Sequence, residues 1–140
     1  MLDINLIRSE PDRIRTMLIN RNKDVGILNR FLESDAEWRE LTGRNNDLRK
    51  IRNDVSAKIA KMPKGPEKDT SIADMRETGE EIKRNDARMA ELEIIRNDCV
   101  LNIPNVPHES VPVGKDSTEN RILYEWGEKR KGSFKPKEHW

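Results

Sequence analysis

Two heptad stripes on either side of a proline-glycine break constrain this chain more than any other feature. In the first stripe Ile27, Leu41, Leu48, Val55 and Met62 share one seven-residue register, and Phe31, Trp38 and Ile59 take the register four residues later. Alternating three- and four-residue steps between apolar residues form the seam of a coiled coil. The second stripe runs through Ile72, Met75, Thr78, Ile82, Asn85, Met89, Leu92, Arg96, Cys99 and Ile103. Between them lies Met62-Pro63-Lys64-Gly65-Pro66, where the prolines remove backbone donors and glycine permits a reversal. At about 1.5 Å per residue, a helix over residues 27–62 is roughly 50 Å long, and a short loop forces its successor to run back beside it. The expected fold is all-α: a long antiparallel two-helix coiled-coil hairpin with a short N-terminal helical segment at its base and an extended C-terminal tail. Centring the turn between Pro66 and Glu67 gives a register in which facing seam residues sum to about 134. Met62 then faces Ile72, Ile59 faces Met75, and the Arg96 guanidinium lies beside the Trp38 indole.

Only 34% of the chain is hydrophobic and 38% is charged, too little apolar surface for a thick globular core but enough for an exposed arm. Three positions of the first seam are polar, Ser34, Asn45 and Arg52. Asn45, Arg52 and Asn85 have two readings: they fix register at a cost in stability, or they sit at the solvated flank of a thin coil. At the N-terminus Leu6, Ile7, Ile14 and Leu18 have helical spacing, and Ser9 before Pro11 with Asp12 is expected to cap a helix. Apolar residues off the seam occur near the base, Leu28 and Leu32 on the first helix and Ile94, Ile95, Val100 and Leu101 on the second. They imply a small three-helix cluster there. Asp24-Val25-Gly26 reads as the turn into the first long helix, and Ser71 with Asp74 as a capping box for the second. Pro104 ends that helix. The chain thus divides into a helical arm over residues 1–103 and an extended, proline-rich connector over residues 104–140. Within the connector, Arg121-Ile122-Leu123-Tyr124-Glu125-Trp126 reads as a short strand with no sheet to join, as if the chain stopped before its partner.

Lys and Arg number 27 against 26 acidic residues, so net charge gives no reason to expect nucleic acid, but its distribution does. Over residues 44–64 the basic residues are Arg44, Arg49, Lys50, Arg52, Lys58, Lys61 and Lys64, against Asp47 and Asp54. The second helix is acid-rich, which points to ion pairs across the hairpin. Lys50, Lys61 and Lys64 fall on outward positions of the heptad, Arg44 and Lys58 share one flank, and Arg76 and Lys83 extend the band. Such a band is either a phosphate-contacting face or an ordinary solvated helix surface.

Catalytic chemistry is not evident. Cys99 lies on the seam, where a thiol is a small inert hydrophobe. His108 and His139 have no ligand spacing around them for zinc. Gly114-Lys115-Asp116-Ser117 lacks the upstream glycine and following helix of a phosphate loop and reads as a turn. One cysteine, no apolar run long enough to span a membrane and no signal-peptide pattern fit a reducing, cytoplasmic setting.

The opening Met1-Leu2-Asp3-Ile4-Asn5-Leu6-Ile7-Arg8 with Pro11, the hairpin, and then Ile103-Pro104-Asn105-Val106-Pro107-His108-Glu109-Ser110-Val111-Pro112-Val113-Gly114-Lys115-Asp116 resemble the N-terminal region of seryl-tRNA synthetase. Trp126-Gly127 and Lys135-Pro136-Lys137-Glu138-His139-Trp140 extend the resemblance to the end of the chain. Glu109 departs from it, standing where a proline is expected. The resemblance implies a tRNA-binding arm that reaches the long variable arm and elbow of serine tRNA. It implies that a class II catalytic domain, absent here, holds ATP and Mg2+, attaches serine to tRNA and makes the homodimer. On that reading this chain has no catalytic residue and no cofactor, is inactive alone, and touches RNA through Arg44, Lys50, Lys58, Lys61, Lys64, Arg76 and Lys83. The resemblance carries over no individual contact, because arm residues vary in this family. The rival reading is a coiled-coil protein-interaction hairpin with no RNA ligand. That would favour apolar residues at the tip, where this chain has Lys58, Lys61, Lys64 and Lys68 against Glu67. A self-contained enzyme fits least, with no clustered acid, base or nucleophile.

Overall fold

A computed structural model describes residues 2–114, 116–128 and 137. Lys115 and most of the motif at residues 135–140, His139 included, lie outside the described residues. The described elements are α1 (Ile4–Ser9), α2 (Pro11–Asn20), α3 (Gly26–Lys61), α4 (Pro66–Asn102) and a 3-10 turn (Ser117–Glu119). The long pair α3 and α4 form an antiparallel hairpin, with α1 and α2 at its base, as the heptad stripes require.

Helix ends follow local chemistry, not always at the expected residues. The Asp3 carboxylate caps α1 by accepting from the Asn5 amide at 2.8 Å. Ser9 does not cap α2: it ends α1, and only Glu10, which serves both helices without a side-chain cap on α2, separates the two. Pro11 opens α2, where its missing N–H costs nothing. At the far end of α2, Asn22 adopts φ 52°, and the Lys23 amide reaches back to the Leu18 carbonyl at 2.8 Å. This left-handed stop suits asparagine. Asp24 accepts from the Gly26 amide at 2.9 Å, and a Cβ on Gly26 would stand 3.0 Å from that carboxylate.

At the tip, reversal needs no left-handed glycine. Gly65 has φ 170° and Met62 is extended, while Pro66 starts α4. The Ser71–Asp74 capping box therefore does not form: Ser71 lies within the helix and donates to the Glu67 carbonyl at 2.9 Å. Pro104 does stop α4, whose last residue is Asn102 with Ile103 extended. Residues 121–126 form no strand, and among the described residues there is none. This segment keeps Ile122, Leu123, Tyr124 and Trp126 exposed.

The core sits at the base. Ile7, Ile14, Leu18, Leu28, Phe31 and Cys99 are fully buried, each large apolar side chain contributing on the order of 1.5–3 kcal/mol. Leu28 and Val100 join this core, and Leu32 and Ile95 pack against it. Ile94 and Leu101, expected there too, are each 72% exposed, because they fall on the heptad position opposite the seam. Asp35, only 3% exposed, ties α1 to both long helices. Arg8 donates to it through Nε at 2.7 Å and Nη2 at 2.8 Å, and Arg96 through Nε at 2.9 Å. The Arg96 guanidinium also lies 4.2 Å from the centre of the Trp38 ring, as the seam alignment anticipates. Burial alone would raise the Asp35 pKa, but the two guanidinium groups outweigh it and hold the carboxyl below its ordinary range.

The register nonetheless differs from the expected one by about a helical turn. Asn45 is a knob in a hole made by Ile82, Asn85, Asp86 and Met89. The centre of that hole lies nearer the tip than Met89, the partner expected from a sum of 134. The pairing sum is close to 130. Consistent with it, the Lys68 ammonium donates to the Met62 carbonyl at 3.2 Å. Ser71 rather than Ile72 then faces inward, and Ile72 is 49% exposed.

Candidate nucleic-acid interface

The antiparallel coil determines which of its cations are free. Flanking positions of facing helices meet in like pairs, and here they carry opposite charge. Arg88 grips Glu37 with Nε and Nη2 at 2.7 and 2.9 Å, and Arg49 Nη2 meets both Asp86 carboxylate oxygens at 2.8 and 3.0 Å. Arg44 meets Glu81 as an ion pair without hydrogen-bond geometry. Hydrogen bonds to Glu37 and then Glu91 raise the Arg88 pKa, and Arg88 in turn lowers that of Glu37. These are the cross-helix pairs anticipated from the acid-rich second helix, and they occupy Arg44.

Of the remaining candidates, Lys83 bonds Glu80 one turn away on its own helix at 2.9 Å. Glu80 is held below the ordinary carboxylate range by Lys83 first, with Arg76 and Arg84 adding their charge. Lys50, Lys58, Lys61, Lys64 and Arg76 are exposed and form no ion pair among the described residues. Lys58 and Lys61 come from the last turn of α3 and Lys64 from the tip loop, with Lys50 and Arg76 further back on either helix, so their charge lies on the distal arm. Arg52 belongs with them: its seam position suggested an inward side chain, yet it is exposed, because the thin outer coil leaves that position open to water. Arg84 is a further exposed cation that the heptad reading passed over.

The polar seam residues divide in the same way. Asn45 is 1% exposed and fully engaged, accepting from Asn85 Nδ2 at 2.8 Å and donating to Asp86 at 2.8 Å, whereas Arg52 is a solvated flank. Ser34 is buried but satisfied within its own helix, donating to the Arg30 and Phe31 carbonyls. Cys99 is fully buried, and burial pushes its thiol pKa up, which removes nucleophilic character at neutral pH. His108 bonds only its neighbour Ser110, in the connector. Among the described residues no cluster of three or more His, Cys, Asp or Glu is placed to hold a metal ion, and no helix is long and apolar enough to cross a membrane.

Comparison with known proteins agrees with this geometry. The family model described as seryl-tRNA synthetase N-terminal domain matches residues 1–107. The serine–tRNA ligase of Thermotoga neapolitana is 42% identical over all of this chain, which covers 34% of that protein; that of Fervidobacterium nodosum is 40% identical with the same coverage. The chain spans about a third of the length of the curated relatives it matches. Among solved structures, seryl-tRNA synthetase from Pyrococcus horikoshii complexed with ATP superposes with a TM-score of 0.83 at 35% identity, over 91% of this chain and 29% of that one. Cytoplasmic serine–tRNA ligase from Naegleria fowleri, in complex with AMP, gives 0.70 at 29% identity, over 93% and 29%. A hairpin of this length and base, matched across its whole helical part, belongs to the seryl-tRNA synthetase N-terminal domain family.

Proposed function

We propose that this chain is the tRNA-binding arm of a seryl-tRNA synthetase and that it recognises the long variable arm and elbow of serine tRNA by shape and phosphate contacts. The observation that carries the reading is the set of cations left over once the cross-helix pairs are made. Arg44, Arg49 and Arg88 are paired with carboxylates, while toward the tip Lys50, Lys58, Lys61, Lys64 and Arg76 are exposed and form no ion pair among the described residues; on the inner part of α3 only Arg30 and Arg39 are likewise exposed without one. A-form RNA hides its base edges in a deep groove and is read through backbone and form, which suits a stiff rod with a charged end. Aromatic platforms for stacking single-stranded bases are lacking on the distal arm: Trp38 is committed to Arg96 and Phe31 to the base core.

On this reading residues 104–140 connect the arm to a catalytic domain that holds ATP and Mg2+, attaches serine to tRNA and forms the homodimer, in the cytoplasm. On the same reading ATP, Mg2+ and the chemistry belong to that domain. What this chain supplies is placement of the tRNA.

Replacing Lys58, Lys61 and Lys64 together by alanine tests the assignment. Each phosphate contact releases condensed counterion, so the slope of log affinity against log salt should flatten by up to about 3. Helicity should be unchanged, because Lys58 and Lys61 lie off the seam and Lys64 in the loop. A helical triple variant that binds serine tRNA with unchanged affinity and slope would refute it.

A further inference from the structure

We propose that the Asn45–Asn85 layer divides the arm into two units in series, and that the outer unit, residues 48–82, opens locally while the inner arm and base stay closed.

The two halves are held together differently. Inward of the layer lie buried Phe31, Leu92 and Cys99, the Arg8–Asp35–Arg96 cluster and the ion pair Glu37–Arg88, while Arg44–Glu81 and Arg49–Asp86 straddle it. Outward, continuing the observed register by heptads stacks Leu48 on Ile82, Arg52 on Thr78, Val55 on Met75, Ile59 on Ser71 and Met62 on Lys68. Of these ten residues only Ile82 is buried. Ile51 and Ile72 are each 49% exposed, so two of the largest apolar side chains there contribute little to the seam. Beyond Arg49–Asp86 no ion pair joins the two helices among the described residues; Lys83–Glu80 stays within α4.

Separate helices cannot make up the difference. Segments of about 12–15 residues are marginal in water without tertiary packing, and Gly79 lowers the helical preference of the outer α4 further. The layer itself breaks apolar continuity. Asn45 spends its amide on Asn85 and Asp86, so the seam on either side is joined by hydrogen bonds rather than by interlocked apolar side chains. Local opening free energies follow buried apolar contact, and outward of the layer Ile82 is the one buried seam residue among those described. Lys50, Lys58, Lys61, Lys64 and Arg76 all ride on the outer unit, so these five exposed cations are carried by a compliant end on a rigid stem.

Native-state amide hydrogen exchange on the whole 140-residue chain tests it. Amides over residues 50–61 and 67–81 should exchange at least about tenfold faster than those over residues 30–42 and 88–100, with a step at Asn45–Asn85. Joining the seams with N45L/N85L should slow outer-arm exchange by about tenfold and leave the inner rates unchanged. I82A should speed exchange in the outer arm alone. Equal protection in both halves, a smooth gradient from tip to base, outer rates unmoved by the leucine pair, or I82A loosening both halves alike would each overturn the division.

Discussion

Replacing Asp35 by asparagine should destabilise this chain far more than any surface charge change. The carboxylate is nearly inaccessible and accepts from two guanidinium groups on different elements, Arg8 of α1 and Arg96 of α4, at 2.7–2.9 Å. Asparagine keeps one oxygen but turns an NH2 toward a guanidinium, so donor meets donor. Arg8, with 31% of its side chain exposed, can turn to water; Arg96, at 10%, cannot and keeps an uncompensated charge against the Trp38 ring. Removing one partner of a buried pair costs about 3–5 kcal/mol, and the escape of Arg8 sets the expectation near the lower figure, about 3 kcal/mol. For a chain of this size that lowers the melting temperature by about 10 °C. The readout is thermal unfolding followed by far-UV circular dichroism, with R8A as the milder control. The pH dependence has a definite sign. The folded carboxyl titrates below the ordinary aspartate value of about 3.9, so its contribution is complete above that pH and is lost as the pH falls through the folded value. Wild-type stability should therefore fall below about pH 4 more steeply than that of D35N. A D35N melt within about 2 °C of wild type at neutral pH would refute the reasoning.

Leu92→Ala, at a fully packed seam position, should cost about 2–5 kcal/mol in denaturant unfolding, whereas Ile72→Ala, at a half-exposed one, should cost much less. Breaking Glu37–Arg88 with E37Q should leave the melting temperature essentially unchanged, since exposed pairs contribute little; a large drop would contradict that. The Cys99 thiol should react with a thiol reagent in native buffer at a small fraction of its rate in denaturant, because it is buried and its pKa is raised. Serine-dependent ATP–pyrophosphate exchange by this chain alone should stay at background, and measurable exchange would overturn its assignment as a binding arm.

The heptad stripes made the hairpin legible, since a sustained 3-4 pattern on both sides of a proline break admits few other folds. The Arg96–Trp38 contact was anticipated from an alignment about one turn off, and it forms because the arginine side chain reaches past Asp35 to the indole. Register was not legible, because it depends on the loop. Placing the turn centre beyond Pro66 assumed a longer reversal, and Pro66 as the first helical residue shortens it, which brings Ser71 in and turns Ile72 out. Ile94 and Leu101 show the limit of composition: apolar residues near a core are not thereby in it. Asp35 escaped notice because its partners lie on two other elements and sequence spacing does not bring them together. For the interface, outward heptad positions correctly marked exposed lysines. Which cations were already neutralised was decided by cross-helix pairing that only the observed register reveals.

The most direct test of the central claim is binding of this chain to serine tRNA and to a tRNA without the long variable arm, measured across a salt series. The arm should bind serine tRNA at least about tenfold more tightly at moderate salt, with both affinities falling as salt rises because phosphate contacts dominate each. Equal affinity for the two RNAs at every salt concentration would contradict recognition of the variable arm, and no binding to either would contradict an RNA-binding role.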